Sequence, residues 1–120
     1  MLQFEIKDVT AMQNALADFC TFLNECQVPQ ERIFDSRLVA NELVANVLKH
    51  AGEVAWFTGG IKNGFIEVAV RSQNGFYPAR CNACSDVYSE HGRGLFLVDR
   101  LCVERRLGDD GAIVVVLKMK

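Results

Sequence analysis

No stretch of this 120-residue chain is apolar for long enough to cross a bilayer. Met1-Leu2-Gln3-Phe4-Glu5-Ile6-Lys7 also lacks the long apolar region of a secretory signal. A cytoplasmic location is the expectation. Excess charge is missing too: the net charge is −2 and the isoelectric point about 5.6, which removes the electrostatic case for binding nucleic acid or an anionic membrane surface. Repeats, linkers and low-complexity tracts are absent, so nothing divides the chain. Apolar residues are plentiful. They make up 50% of the chain against 23% charged, which argues against disorder and fits one domain over residues 1–120.

The five cysteines are an odd count, expected to be mostly reduced in a cytoplasm. Cys20, Cys26 and Cys102 read as small buried hydrophobes. Cys81-Asn82-Ala83-Cys84 has the C-x-x-C spacing of zinc and redox sites, and His91, seven residues on, is a third candidate ligand. No second pair completes four ligands and no thioredoxin-like strand precedes it, so an incidental pair in a loop is the plainer reading.

The most informative segment is Ile33 to Ala51, helical in character and without Gly or Pro. Ile33, Phe34, Leu38, Val39, Ala40, Leu43, Val44, Ala45, Val47 and Leu48 cover nearly its whole circumference, which predicts a largely buried helix. One stripe is polar. Glu42 and Asn46 are four apart, Lys49 and His50 follow a turn later, and all share a face. A carboxylate and an amide on an apolar helix need partners or water, so the stripe suits the floor of a wet pocket. Oxygen donors of this kind can hold a Mg²⁺ that keeps several waters and bridges to phosphates. The bland alternative is a solvated helix edge.

Gly92-Arg93-Gly94-Leu95-Phe96-Leu97-Val98-Asp99-Arg100-Leu101 opens with G-x-G and runs into an amphipathic pattern. The glycines permit close backbone approach, and a helix that follows presents unpaired N–H groups and its positive dipole end. Together these form a phosphate cradle to which Arg93 adds a charge. Alone, G-x-G is also just a tight turn before a helix.

In this order and spacing the two segments resemble the GHKL nucleotide-binding superfamily, and more closely the small anti-sigma-factor serine kinases of bacterial partner-switching systems. The family's N-box, E-L-V-x-N-x-x-x-H-A, matches Glu42 through Ala51; its glycine-rich box, G-R-G-L-x-L-V-x-x-L, matches Gly92 through Leu101. Its two closing strands fit Val103–Leu107 and Ala112–Lys118. The resemblance covers nearly the whole chain. It implies a Bergerat fold, ATP and Mg²⁺ as cofactors, and partners that are a sigma factor or a small STAS-type antagonist phosphorylated on Ser. It gives Glu42 the task of orienting or deprotonating the incoming hydroxyl. Asn46 would hold Mg²⁺, with Lys49 and His50 on the phosphate side and Gly92, Arg93, Gly94 and Leu95 forming the cradle.

One stretch departs from the family. Where D-x-G-x-G supplies an Asp to the adenine amino group, this chain has Val70-Arg71-Ser72-Gln73-Asn74-Gly75-Phe76-Tyr77-Pro78. Ser72 falls at the Asp position if one residue is deleted, only Gly75 of the two glycines survives, and Asn74 takes the place of the other. A charge-assisted hydrogen bond contributes about 1.5–3 kcal/mol, so its loss weakens ATP roughly 10- to 100-fold.

The expected elements are a strand over residues 2–7 and a helix capped by Asp8 or Thr10 and running to Leu23. Pro29 precedes the Ile33–Ala51 helix. Strands Val54–Ile61 and Phe65–Arg71 are joined at Asn63-Gly64, with a bulge at Gly59-Gly60. A loop over residues 74–90 follows, which in the family is the nucleotide lid. A third helix spans Gly92–Cys102, and a final hairpin turns at Asp109-Asp110-Gly111. The order predicts a two-layer α/β (α+β) sandwich: a mixed, mostly antiparallel sheet with three helices on one face. Strand edges and the second sheet face leave a homodimer open.

Two functions follow from the resemblance. One is an ATP-dependent protein serine/threonine kinase that regulates transcription by switching partners. The other is a nucleotide-independent partner-binding module with a degenerate adenine site. A histidine-kinase catalytic domain shares the boxes, but this chain has no room for a phosphoacceptor helix pair.

Overall fold

Leu2, Phe4 and Ile6 alternate with polar neighbours, and the strand this implies, β1, runs Leu2–Ile6. The computed structural model describes residues 2–50, 54–72, 100–108 and 111–119, the side chain of His50 excepted. Helix α1, Val9–Glu25, begins where the Asp8 carboxylate accepts a hydrogen bond from Ala11 N at 2.8 Å, so Asp8 is the cap and not Thr10. Met12, Ala15, Leu16, Phe19 and Leu23 recur at helical spacing, and all are buried. Gln27, at φ 64°, turns the chain toward α2, Gln30–His50. That helix starts directly after Pro29, whose carbonyl accepts from Arg32 N and Ile33 N, one turn earlier than its apolar pattern alone predicts.

Strands β2, Ala55–Lys62, and β3, Phe65–Ser72, form the expected hairpin. Asn63 (φ 56°) and Gly64 (φ 81°) supply the two left-handed residues of a type I′ turn. Pairing runs unbroken from Ala55↔Ser72 to Lys62↔Phe65, so the bulge expected at Gly59-Gly60 does not form. Gly59 answers to packing instead: the ring of Phe19 takes the space a side chain would fill. Strands β4, Glu104–Leu107, and β5, Ile113–Lys118, complete a five-stranded sheet in the order β1-β2-β3-β5-β4. Gly111, at φ 84°, sits in the connection between them.

A mixed sheet was expected, but every pairing between described strands is antiparallel. Two consecutive helices carry the chain from β1 to β2 and return it antiparallel, whereas a parallel neighbour is usually reached through a single-helix crossover. Of the predicted third helix, residues 92–99 lie outside the described residues. Arg100 and Leu101 are helical, and Cys102 is not. The described helical layer is α1 and α2.

Both helices lie on one face of the sheet, α1 over β1 and β2, α2 over β3 and β2. Ile6, Phe57, Ile66, Val68, Val70, Ile113, Val115 and Leu117 point toward them and are buried. The ring of Phe57 meets Phe19 edge-on at 5.3 Å and stacks on Phe4 at 5.6 Å. On the opposite face Arg71 lies over Trp56 at 5.4 Å, and Arg106 pairs with Glu104 at 2.9 Å and Glu67 at 3.9 Å. Helix α2 is not buried all round as its composition predicts. Val39, Leu43, Val44 and Val47 are at most 1% exposed, but Phe34 is 63% exposed on the outer side. Cys20, Cys26 and Cys102 are half-buried and not fully enclosed, since each lies at the margin of the core.

Candidate functional site

The C-terminal half of α2 carries the stripe. Val39, Leu43, Val44 and Val47 clamp it to the sheet, each worth about 1.5–3 kcal/mol of burial, so its backbone is held firmly. Glu42 and Asn46, one turn apart on the flank of that buried face, are half-buried, and Lys49 in the last turn is exposed. A cation there also opposes the negative end of the helix dipole. The helix thus brings Glu42, Asn46 and Lys49 onto one side, as their spacing predicts.

Sheet register places Ser72 relative to this stripe. Ser72 ends β3, pairs with Ala55 at the start of β2, and is 3% exposed on the helix-facing side. Ala55 lies five residues beyond His50, so the chain can separate the end of α2 from the start of β2 by at most about 18 Å. The chain therefore limits how far the C-terminal end of α2 can lie from the end of the sheet that holds Ser72. A carboxylate, an amide and an ammonium along one side of a core helix can receive a polar ligand.

His50 as a side chain, Asn74, Gly75, Gly92, Arg93, Gly94 and Leu95 lie outside the described residues, as do Cys81, Cys84 and His91. Among the described residues no three His, Cys, Asp or Glu side chains gather as a metal cage. Mg²⁺ bound through phosphates, waters and one or two protein oxygens needs no such cage, and Glu42 and Asn46 supply oxygens of the right kind. Sequence reasoning missed a second feature, an open cleft on the outer side of α1 and α2 around Phe34 and Arg37. The signal was present: Arg37 and Asn41 follow Phe34 at helical spacing, which marks that side as facing water.

The chain matches no known protein-family model, and no curated protein matches it. Among the described residues no helix is long and apolar enough to cross a membrane.

Proposed function

We propose that this chain is a cytoplasmic regulatory protein serine/threonine kinase of the anti-sigma type, built on a Bergerat fold. The observation that carries the reading is the half-buried Glu42–Asn46 pair, one turn apart on the flank of the buried face of α2. The N-box and G-R-G-L likenesses support it. So does the helical turn at Arg100–Leu101, with Leu101 packed on the core where a third helix of that fold would end.

In phosphoryl transfer the protein mostly positions groups and neutralises charge. Glu42 orients the Ser or Thr hydroxyl of the partner and takes its proton as the oxygen attacks the terminal phosphorus of ATP, with ADP leaving. Asn46 would hold Mg²⁺, and Lys49 and His50 would support the phosphate side. Gly92, Arg93, Gly94 and Leu95 would cradle the phosphates, and Ser72, Asn74 and Gly75 would meet the adenine. ATP and Mg²⁺ supply the phosphoryl group and the charge neutralisation when bound. The partners are a sigma factor and a STAS-type antagonist.

One observation favours the second reading, a partner-binding module that does without nucleotide: Ser72, which the resemblance aligns with the family's adenine-binding Asp, is a buried serine and carries no charge. Thermal melts with ATP, with and without Mg²⁺, separate the two. Ligand that binds only the folded state raises the melting temperature, so a kinase is stabilised by ATP and more so with Mg²⁺. No shift at millimolar nucleotide leaves the binding module.

A further inference from the structure

The outer side of the α1–α2 pair carries a shallow cleft of about 440 Å³ between Ala17 and Cys20 of α1 and Ile33, Phe34 and Arg37 of α2. It continues past Phe34 into a hollow of about 220 Å³ against Leu38. Phe34 stands 63% exposed as the knob between the two. A scattered exposed hydrophobe is ordinary, but a second observation sets this one apart. Arg37, exposed beside it, has no carboxylate partner among the described residues. Arg32, on the same helix, is engaged by Asp35 at 3.2 Å. The charge of Arg37 does reach the half-buried Cys20 thiol across the cleft.

Aromatic residues and arginine are the types that most often anchor protein interfaces. The cleft is open and shallow, unlike the enclosed cavities that hold small molecules, so its occupant is a chain segment. An exposed guanidinium beside an exposed aromatic ring, with no carboxylate partner among the described residues, favours an anionic group, and a carboxylate matches its fork. We propose that this cleft docks an amphipathic segment of an acidic partner protein, seating a large apolar side chain beside Phe34 and a carboxylate on Arg37. The inference does not rest on the nucleotide reading, because Phe34 lies about 12 Å along the helix axis from Glu42.

Two peptides of the same length test it, one with a leucine face flanked by glutamates and one with lysines in their place. Titrated into the isotope-labelled protein, the acidic peptide is expected to shift the amide resonances of Phe34, Arg37 and Leu38 saturably. The lysine peptide should bind at least about tenfold more weakly, since each 1.4 kcal/mol is tenfold. Arg37→Glu should reverse that preference, and Phe34→Ala should weaken both peptides. Both positions are exposed, so the variants keep the fold, which their melting curves check. Equal binding of the two peptides, shifts confined to another surface, or no binding overturns the proposal. Sedimentation velocity covers the remaining occupant: self-association lost in Phe34→Ala would assign the cleft to a second copy of this chain and overturn the acidic-partner reading.

Discussion

Phe19 and Gly59 share one volume: a Cβ built on Gly59 would lie 2.6 Å from Cε1 of the Phe19 ring. The Phe19 ring of α1 therefore rests directly on the backbone of β2, and it packs nearly perpendicular to Phe57, two residues away on the same strand. Gly59→Ala must push this fully buried ring out of place, at an expected cost of about 1–3 kcal/mol. Phe19→Ala leaves a cavity and should cost about 3–5 kcal/mol. Combining Gly59→Ala with Phe19→Leu should cost less than the sum of the single changes, because the smaller side chain yields room to the new methyl. Urea denaturation of the three variants and the double variant measures this, and strict additivity would contradict a shared volume.

Glu42 and Asn46 are predicted to separate binding from chemistry. Glu42→Gln nearly conserves shape at a half-buried position, so stability should stay within about 0.5 kcal/mol of the parent and ATP should still bind. Transfer to the partner should be lost. Asn46→Ala should remove the part of nucleotide affinity that depends on Mg²⁺. Calorimetric titration and a radiolabel transfer assay read these outcomes. Undiminished transfer by Glu42→Gln would take Glu42 out of the general-base role.

Ser72→Asp places a carboxylate where the side chain is 3% exposed. A buried charge without a partner is costly, so the variant should melt well below the parent when no nucleotide is present. If Ser72 stands at the adenine, ATP should recover much of that loss and bind about tenfold tighter than to the parent, because the amino group of adenine then meets a charged acceptor. GTP offers a carbonyl there and should not. Equal rescue by the two nucleotides would place Ser72 away from the base.

Cys20 gives a pH-dependent prediction. Burial pushes its thiol up from the ordinary value, and the Arg37 charge opposes part of that rise. With the folded value raised, the neutral thiol is favoured by the fold. The associated stability is whole below the unfolded thiol pKa and lost as pH climbs through the folded one. Alkylation of Cys20, followed by mass spectrometry, should reach half its maximal rate at a higher pH than a free cysteine does. Arg37→Glu should move that midpoint higher still. A profile at or below that of free cysteine would contradict the burial argument.

Most of the fold was legible wherever local chemistry decides the outcome. Asp8 caps α1 because its side chain reaches the third amide on, and Asn63-Gly64 turns the hairpin because both residues accept positive φ. The Glu42–Asn46 stripe was legible from spacing alone. What failed depended on neighbours in space. Gly59-Gly60 resembles a bulge locally, and only the approach of Phe19 from another element explains why glycine stands there. The apolar count of α2 suggests burial all round, yet the sheet can cover only one side of a helix, which leaves Phe34 in water. Nor does composition reveal strand direction: the antiparallel arrangement follows from the path through α1 and α2.

The pairing of Leu2 with Gly59 has a consequence for synthesis. β1 leaves the ribosome before β2, the strand it pairs with, and must wait through two helices until β2 appears. The β2–β3 hairpin, by contrast, closes within its own few residues and can form in microseconds. The α1–α2 pair is local as well, so the order of assembly expected from loop closure runs helices, then hairpin, then edge strand. Until then a nascent chain displays Leu2, Phe4 and Ile6 on an unpaired strand, the stretch most open to chaperones or to a neighbouring polypeptide.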